Sequence, residues 1–250
     1  MQERDDAGNW SDSGSFEITI DTQAPDAPVV TGTTPTNDDT PAWSWVAGGG
    51  GNGTFRHQLD GEAGAWTETT GTDWTPGSAL GDGAHTLYVQ ERDDAENWSD
   101  SGSHAIEVDT AAPDVSSCTC ADPTPTSADT VHFTVVFDEP VTGVDATDFS
   151  VTLSGASITD VSGSGDTYTV TVATGTENGA LGLPLTDDDS IVDLAGNPLG
   201  GVGAGNGDYA AGETYEVVNN GLSLAWWPVL LALLVLGTVL LDLRRKRFGT

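Results

Sequence analysis

Apolar and polar residues alternate along most of the chain in short runs, and Gly, Pro, Asn and Asp punctuate them. Between residues 26 and 112 the runs PVVTG, PAWSWVA, GTFRHQLDG, TDWTP, AHTLYVQERD and SHAIEVDT each read as a strand. A period of two puts Trp43 and Trp45 on one face of their strand, Phe55 and Leu59 on one face of theirs, and Leu87 and Val89 on another. From 113 to 218 the same alternation returns in Val131, Phe133, Val135 and Phe137, in Phe149, Val151 and Leu153, and in Tyr168, Val170 and Val172. The run ETYEVVN predicts a last strand. Both stretches have the spacing of β-sandwiches and enough branched and aromatic anchors to bury a small core.

The period changes at Leu222. From there to Leu241 the chain reads LSLAWWPVLLALLVLGTVLL, an uncharged run whose length, at ~1.5 Å per residue, matches the ~30 Å hydrocarbon layer. A transmembrane α-helix is expected within residues 219–243, with membrane lipid as its partner. Trp226 and Trp227 stand where indole rings favour the interface, and Arg244, Arg245, Lys246 and Arg247 form a basic tail over 244–250. The positive-inside rule then keeps the tail in the cytoplasm and places residues 1–221 outside it. Pro228 falls near the first turn, where a missing N–H is tolerated.

An internal repeat fixes the organisation further. Residues 2–26, QERDDAGNWSDSGSFEITIDTQAPD, match residues 90–114, QERDDAENWSDSGSHAIEVDTAAPD, at 19 of 25 positions without a gap. Residues 1–25 therefore read as the C-terminal strands of a truncated repeat, 26–112 as a full copy and 113–218 as a sandwich of a second type. Residues 1–15 are acidic and polar, unlike an export signal, so both the export information and the rest of the first repeat are expected upstream.

Charge sharpens this picture. The 250 residues carry 39 acidic against 7 basic side chains, a net charge of −32. Of the basic ones only Arg4, Arg56 and Arg92 precede residue 242. Nucleic acid is excluded as a partner, since phosphate binding needs clustered Lys and Arg on the exposed domains. Such acidity suits calcium-rich or saline surroundings, the alternative being that it is simply typical of secreted repeats.

The run DGAHTLYVQERDDAENWSDSGS with VDTAAPD resembles the bacterial Ig-like repeats of very large surface proteins and adhesins. In the second unit, FTVVFDEPVTGVDATDFSVT with DLAGNPLGG resembles another bacterial Ig-like family that accompanies them. Residues from 219 onward resemble the C-terminal sorting signals of Gram-negative surface proteins, without a PEP or IPTL-type motif ahead of the helix. The resemblance implies an all-β chain of tandem Ig-like sandwiches on one C-terminal transmembrane helix, acting as a cell-surface stalk and adhesin. Its ligand, a protein or a glycan, would be held by an upstream region. The competing class is the accessory and anchoring part of a larger secreted hydrolase.

Few residues point to chemistry. With so many acids a carboxylate pair carries no information, and the sequence has neither a phosphate loop nor a nucleophile elbow. No catalytic residue is expected, and the chain is read as no enzyme. His104 replaces Phe16 of the other copy and is expected to pack. His85 is expected to pin the loop entering its strand, and His57 and His132 lack zinc spacing. LPLTD at 183–187 resembles a sortase signal but lies inside the second sandwich, as a strand end. Cys118 and Cys120 are expected to point to opposite sides of their strand, which leaves free thiols or pairing with another chain.

Calcium is the one ligand the pattern suggests. Oxygen-bearing side chains recur as Asp93, Asp94 and Asn97 in DDAEN and as Asp193 and Asn197 in DLAGN, while Asp109 and Asp114 flank an Ala-Ala-Pro linker. Hard oxygen clusters near domain junctions suit Ca²⁺, which would relieve repulsion and stiffen an array. The alternative is that the same residues are ordinary turn formers.

Overall fold

The computed structural model describes residues 1–219, and apart from one short 3-10 helix, Ala146–Asp148, their regular elements are all strands. The all-β expectation holds. The chain divides into two compact units, Met1–Ala111 and the residues from Ala112.

In the first unit, β1 (Val29–Gly32), β2 (Trp43–Val46) and β5 (Asp73–Trp74) form one antiparallel sheet in the order β1-β2-β5. A second sheet runs β4-β3-β6-β7, from β4 (Thr67–Thr69), β3 (Thr54–Leu59), β6 (Gly83–Arg92) and β7 (Gly102–Val108). Six of these strands lie in the alternating runs. β4 does not, because its TET sequence has no apolar residue and it pairs only with β3 at the sheet edge. The alternating residues Val30, Trp43, Trp45, Phe55, Leu87, Val89, Ile106 and Val108 make the core. Each such side chain contributes roughly 1.5–3 kcal/mol on full burial. Trp43 also keeps its N–H satisfied, donating to the His104 carbonyl at 3.0 Å.

The near-identical segment at the N-terminus behaves differently. Arg4 and Trp10 bridge as Arg92 and Trp98 do, yet residues 11–25 form no strand. Ile18 and Ile20 are 71% and 82% exposed, whereas their counterparts Ile106 and Val108 are buried at 0% and 1%. The turn is encoded locally; the strand after it needs a sheet and an opposing layer to form.

In the second unit the long β9 (Thr130–Thr142) organises one sheet, pairing antiparallel with β8 (Val115–Cys120), β10 (Ser157–Ala173) and β12 (Val192–Asp193). β11 (Gly179–Leu181) and β13 (Tyr215–Val217) form a second, small sheet. β10 doubles back between Gly163 and Asp166, so that Thr159 Oγ1 donates to the Thr171 carbonyl at 3.2 Å. Val131, Phe133, Val135 and Phe137 are all buried, as the alternation required. Phe133 meets Tyr215 edge-on at 5.0 Å and Phe137 meets Tyr168 at 5.9 Å.

Two expectations are corrected here. Phe149–Leu153 is not a strand: Phe149 makes one bridge to Leu185, and the Ser150 and Thr152 N–H groups reach the carbonyls of Pro184 and Gly182. The alternation there correctly turns Phe149 inward but does not specify a ladder. Cys118 and Cys120 share a face rather than opposing one another, since two residues along a strand restore the same side. Cys118 is buried in the core and Cys120 packs half-buried against it, both as free thiols. Leu183 and Leu185 of LPLTD are interior residues.

Among the described residues no helix is long and apolar enough to cross a membrane. Leu222–Leu241, with Trp226, Trp227, Arg244, Arg245, Lys246 and Arg247, lies outside them.

Candidate functional site

The Asp-x-x-x-Asn segments are hairpin loops built alike in three places. At Asp93 the backbone closes twice, with Asp93 N–H donating to the Asn97 carbonyl at 3.1 Å and Glu96 N–H donating to the Asp93 carbonyl. The carboxylate braces the inside of the loop: Oδ1 accepts from the N–H groups of Ala95 and Asn97 at 2.9 and 2.8 Å, and Oδ2 from Asn97 Nδ2 at 2.9 Å. Asp193 repeats this with one more donor, Oδ1 accepting from Ala195, Gly196 and Asn197 and Oδ2 from Asn197 Nδ2 at 2.7 Å. Asp5 and Asn9 repeat it again. The fourth residue is left-handed each time, as a three-residue hairpin loop with a bulge requires, at Gly8, Glu96 and Gly196.

These bonds have an electrostatic consequence. The Asn97 side-chain amide, followed by backbone N–H groups, holds the Asp93 carboxyl below its ordinary range, and Asn9 does the same for Asp5. A cation at Asp93 or Asp193 would meet an Oδ1 already filled by N–H donors.

In the first unit the loop forms one wall of an open acidic pocket of about 360 Å³, where Asp93 stands with Asp21, Asp26, Pro25 and the backbone of Gly49 and Gly50. Asn97 Nδ2 also donates to the Asp21 carbonyl at 3.2 Å, and Asp26 N–H to the Gly49 carbonyl at 3.0 Å. The structure thus joins Asp93 and Asn97 to Asp21 and Asp26, which belong to the DTQAPD copy of the linker motif. That copy is the signal by which the sequence marks them.

The other expected ligands sit apart from this pocket. Asp94 is exposed on the loop. Asp109 closes the first unit, its N–H donating to the Thr36 carbonyl and its Oδ1 accepting from Ala111. Asp114 opens the second, its N–H donating to Asp138 Oδ1 at 2.7 Å. The second unit also buries Asp148 and Asp187, which the sequence does not single out. Asp148 accepts from Asp145 N–H and Ser190 Oγ, and burial raises its pKa. Asp187 Oδ2 accepts from Gly205 and Gly207 N–H and ties two loops together.

Three of the four histidines have hydrogen-bond or ring partners. His85 Nδ1 faces Asp60 Oδ2 and its Nε2 faces the Gly81 carbonyl, both at 2.8 Å. It does pin the loop entering β6. Two acceptors favour the doubly protonated ring, and the Asp60 hydrogen bond raises the pKa of His85. His57 is buried between Trp45 and Trp74, at centroid distances of 6.1 and 5.2 Å, and burial lowers its pKa. His132 Nδ1 pairs with Asp122 at 2.9 Å.

No family model and no curated protein matches the chain. Among solved structures it is similar to the D00-D0 domain of intimin, at 11% identity and a TM-score of 0.26 over 76% of this chain and 99% of that one. A likeness at that score carries no argument about fold or function.

Proposed function

We propose that the chain is a non-enzymatic, cell-surface spacer of the adhesin type, made of tandem Ig-like sandwiches on a C-terminal membrane anchor. The observation that carries this reading is the repeated module itself. Two units in series each close their own apolar core, and one self-braced hairpin recurs as Asp5–Asn9, Asp93–Asn97 and Asp193–Asn197. A unit that closes its own apolar core and braces its own hairpin can be strung in series without depending on its neighbour for folding. The anchor rests on the uncharged Leu222–Leu241 run and the basic tail. In cells supplied with an upstream export signal, external protease is expected to digest residues 1–221 and spare the tail. Removal of residues 222–250 is expected to release the protein from the envelope. Protection of the N-terminal units, or retention of the shortened chain, overturns the anchor.

Calcium as a stiffener is part of the same proposal. Asp21, Asp26 and Asp93 crowd one pocket and repel one another unless a cation intervenes. The cores do not depend on metal, so chelation is expected to preserve strand content, broaden the range of shapes seen by small-angle scattering and lower the melting temperature modestly. Identical scattering and melting with millimolar Ca²⁺ and with chelator would remove calcium from the proposal and leave these acids as turn residues.

A further inference from the structure

Asn52 and Gly53 occupy the loop before β3, where two neighbours hold the Asn52 side-chain amide and a third holds the Gly53 N–H. Asn52 Oδ1 accepts from Thr54 N–H at 3.0 Å, and Asn52 Nδ2 donates to the Asp93 carbonyl at 3.0 Å. Gly53 N–H donates to Glu91 Oε1 at 3.3 Å. Glu91 is an unusual acceptor: its side chain is buried at 1% exposure on the inward face of β6, and Oε2 has no hydrogen-bond partner. Gly51 makes room for it, because a Cβ there would lie 2.2 Å from the Glu91 carboxyl carbon. Gly53 is left-handed at φ 78° with open space around it, and Asn52 is exposed.

We propose that Asn52 is a self-modification site at which Glu91 acts as the base for cyclisation and deamidation. The Gly53 nitrogen attacks Asn52 Cγ, forming the N–Cγ bond while its proton passes to Glu91 Oε1. Thr54 N–H steadies the negative charge that gathers on Oδ1, as an oxyanion donor does. The Cγ–Nδ2 bond then breaks, and Nδ2 leaves as ammonia with the proton returned by Glu91. Water adds to either carbonyl of the cyclic imide and opens it to an aspartyl or isoaspartyl residue at position 52. Glu91 is regenerated and no oxidant or metal is needed. General-base transfer needs donor and base heavy atoms about 2.6–3.2 Å apart, a reach the 3.3 Å Gly53–Glu91 contact closes by a small shift, since such contacts are commonly longer before reaction. The product carries a new negative charge and loses the Nδ2 bond to the Asp93 carbonyl.

The remaining Asn-Gly pairs among the described residues lack this arrangement. Gly179 opens β11 opposite Val217, and the Asn178 Oδ1 accepts from Asn219 N–H. Gly207 donates to Asp187, a carboxylate that already holds two other loop N–H groups, and a Cβ on Gly207 would lie 2.6 Å from Leu199. Ring closure there has to displace packed chain.

The test incubates the full chain at 37 °C and follows positions 52, 178 and 206 by peptide mass and isoaspartyl labelling. Position 52 is expected to convert first, and Glu91→Gln is expected to slow it on the order of tenfold or more while leaving 178 and 206 unchanged. Conversion at 52 no faster than at the others, or undiminished in the folded variant, overturns the proposal. If Glu91→Gln does not fold, the unaltered chain decides. Closure driven by hydroxide rises in proportion to hydroxide between pH 6 and 8, whereas closure through Glu91 rises much less; a proportional rise overturns it.

Discussion

Asn197 donates its side-chain amide to Asp193 Oδ2 at 2.7 Å inside a loop where both residues are buried. That carboxylate also collects three backbone N–H groups, beside the backbone closure from Asp193 N–H to the Asn197 carbonyl. Asp193→Ala removes the shared acceptor of these donors, of which the Asn197 groups are buried and those of Ala195 and Gly196 are open to solvent, at a cost of about 1–3 kcal/mol. Asp93→Ala is expected to cost less because its loop has one backbone donor fewer, and Asp5→Ala least because its hairpin supports no packed strand. Thermal melting of the three variants should fall in that order.

Glu96 holds the left-handed position of its loop at φ 71°, where the other two loops have Gly8 and Gly196. A Cβ in this conformation costs about 1 kcal/mol, partly offset by the greater freedom of glycine in the unfolded chain. Glu96→Gly is expected to raise the melting temperature of the first unit slightly, and Glu96→Val to lower it clearly.

The strands that were legible in the sequence are those in which burial and alternation coincide. Leu87 and Val89 in β6, and Val131 to Phe137 in β9, needed nothing beyond period two. β4 was not legible because it is a polar edge with no apolar face to reveal it. Phe149–Leu153 misled because alternation reports which side chains are buried, not whether the backbone pairs. The acidic residues were legible as a recurring set, but their geometry was not: sequence marks Asp93 and Asn97 as oxygen-bearing and cannot show that the amide faces the carboxylate. Asp26 joins the pocket only through the path of the chain over Gly49.

Cys118 and Cys120 share a face yet differ in burial, which separates them chemically. Burial pushes the Cys118 thiol up to about 11, and it raises Cys120 as well. Alkylation of the native protein at pH 8 is expected to label the half-buried Cys120 first and to reach Cys118 only through opening of the unit. Equal rates in the folded chain would contradict the depth assigned to Cys118.

His57 and His85 make the stability of the first unit depend on pH from both sides. The pKa of His57 is depressed by burial between Trp45 and Trp74, so the folded state holds the neutral ring. Its contribution is present above the ordinary value of 6.5 and is lost as pH falls through the lower folded value, where the buried ring must charge. His85 runs the other way. Its pKa is raised by Asp60 and the Gly81 carbonyl, so its contribution is complete below 6.5 and is lost as pH rises through the higher folded value. His57→Phe keeps a ring between the two indoles and is expected to remove the acid limb of the profile. His85→Gln is expected to flatten the alkaline side while leaving the acid limb in place. Ring proton shifts followed by NMR give the two pKa values directly, and a His85 value below that of His57 would refute the clamp at Asp60.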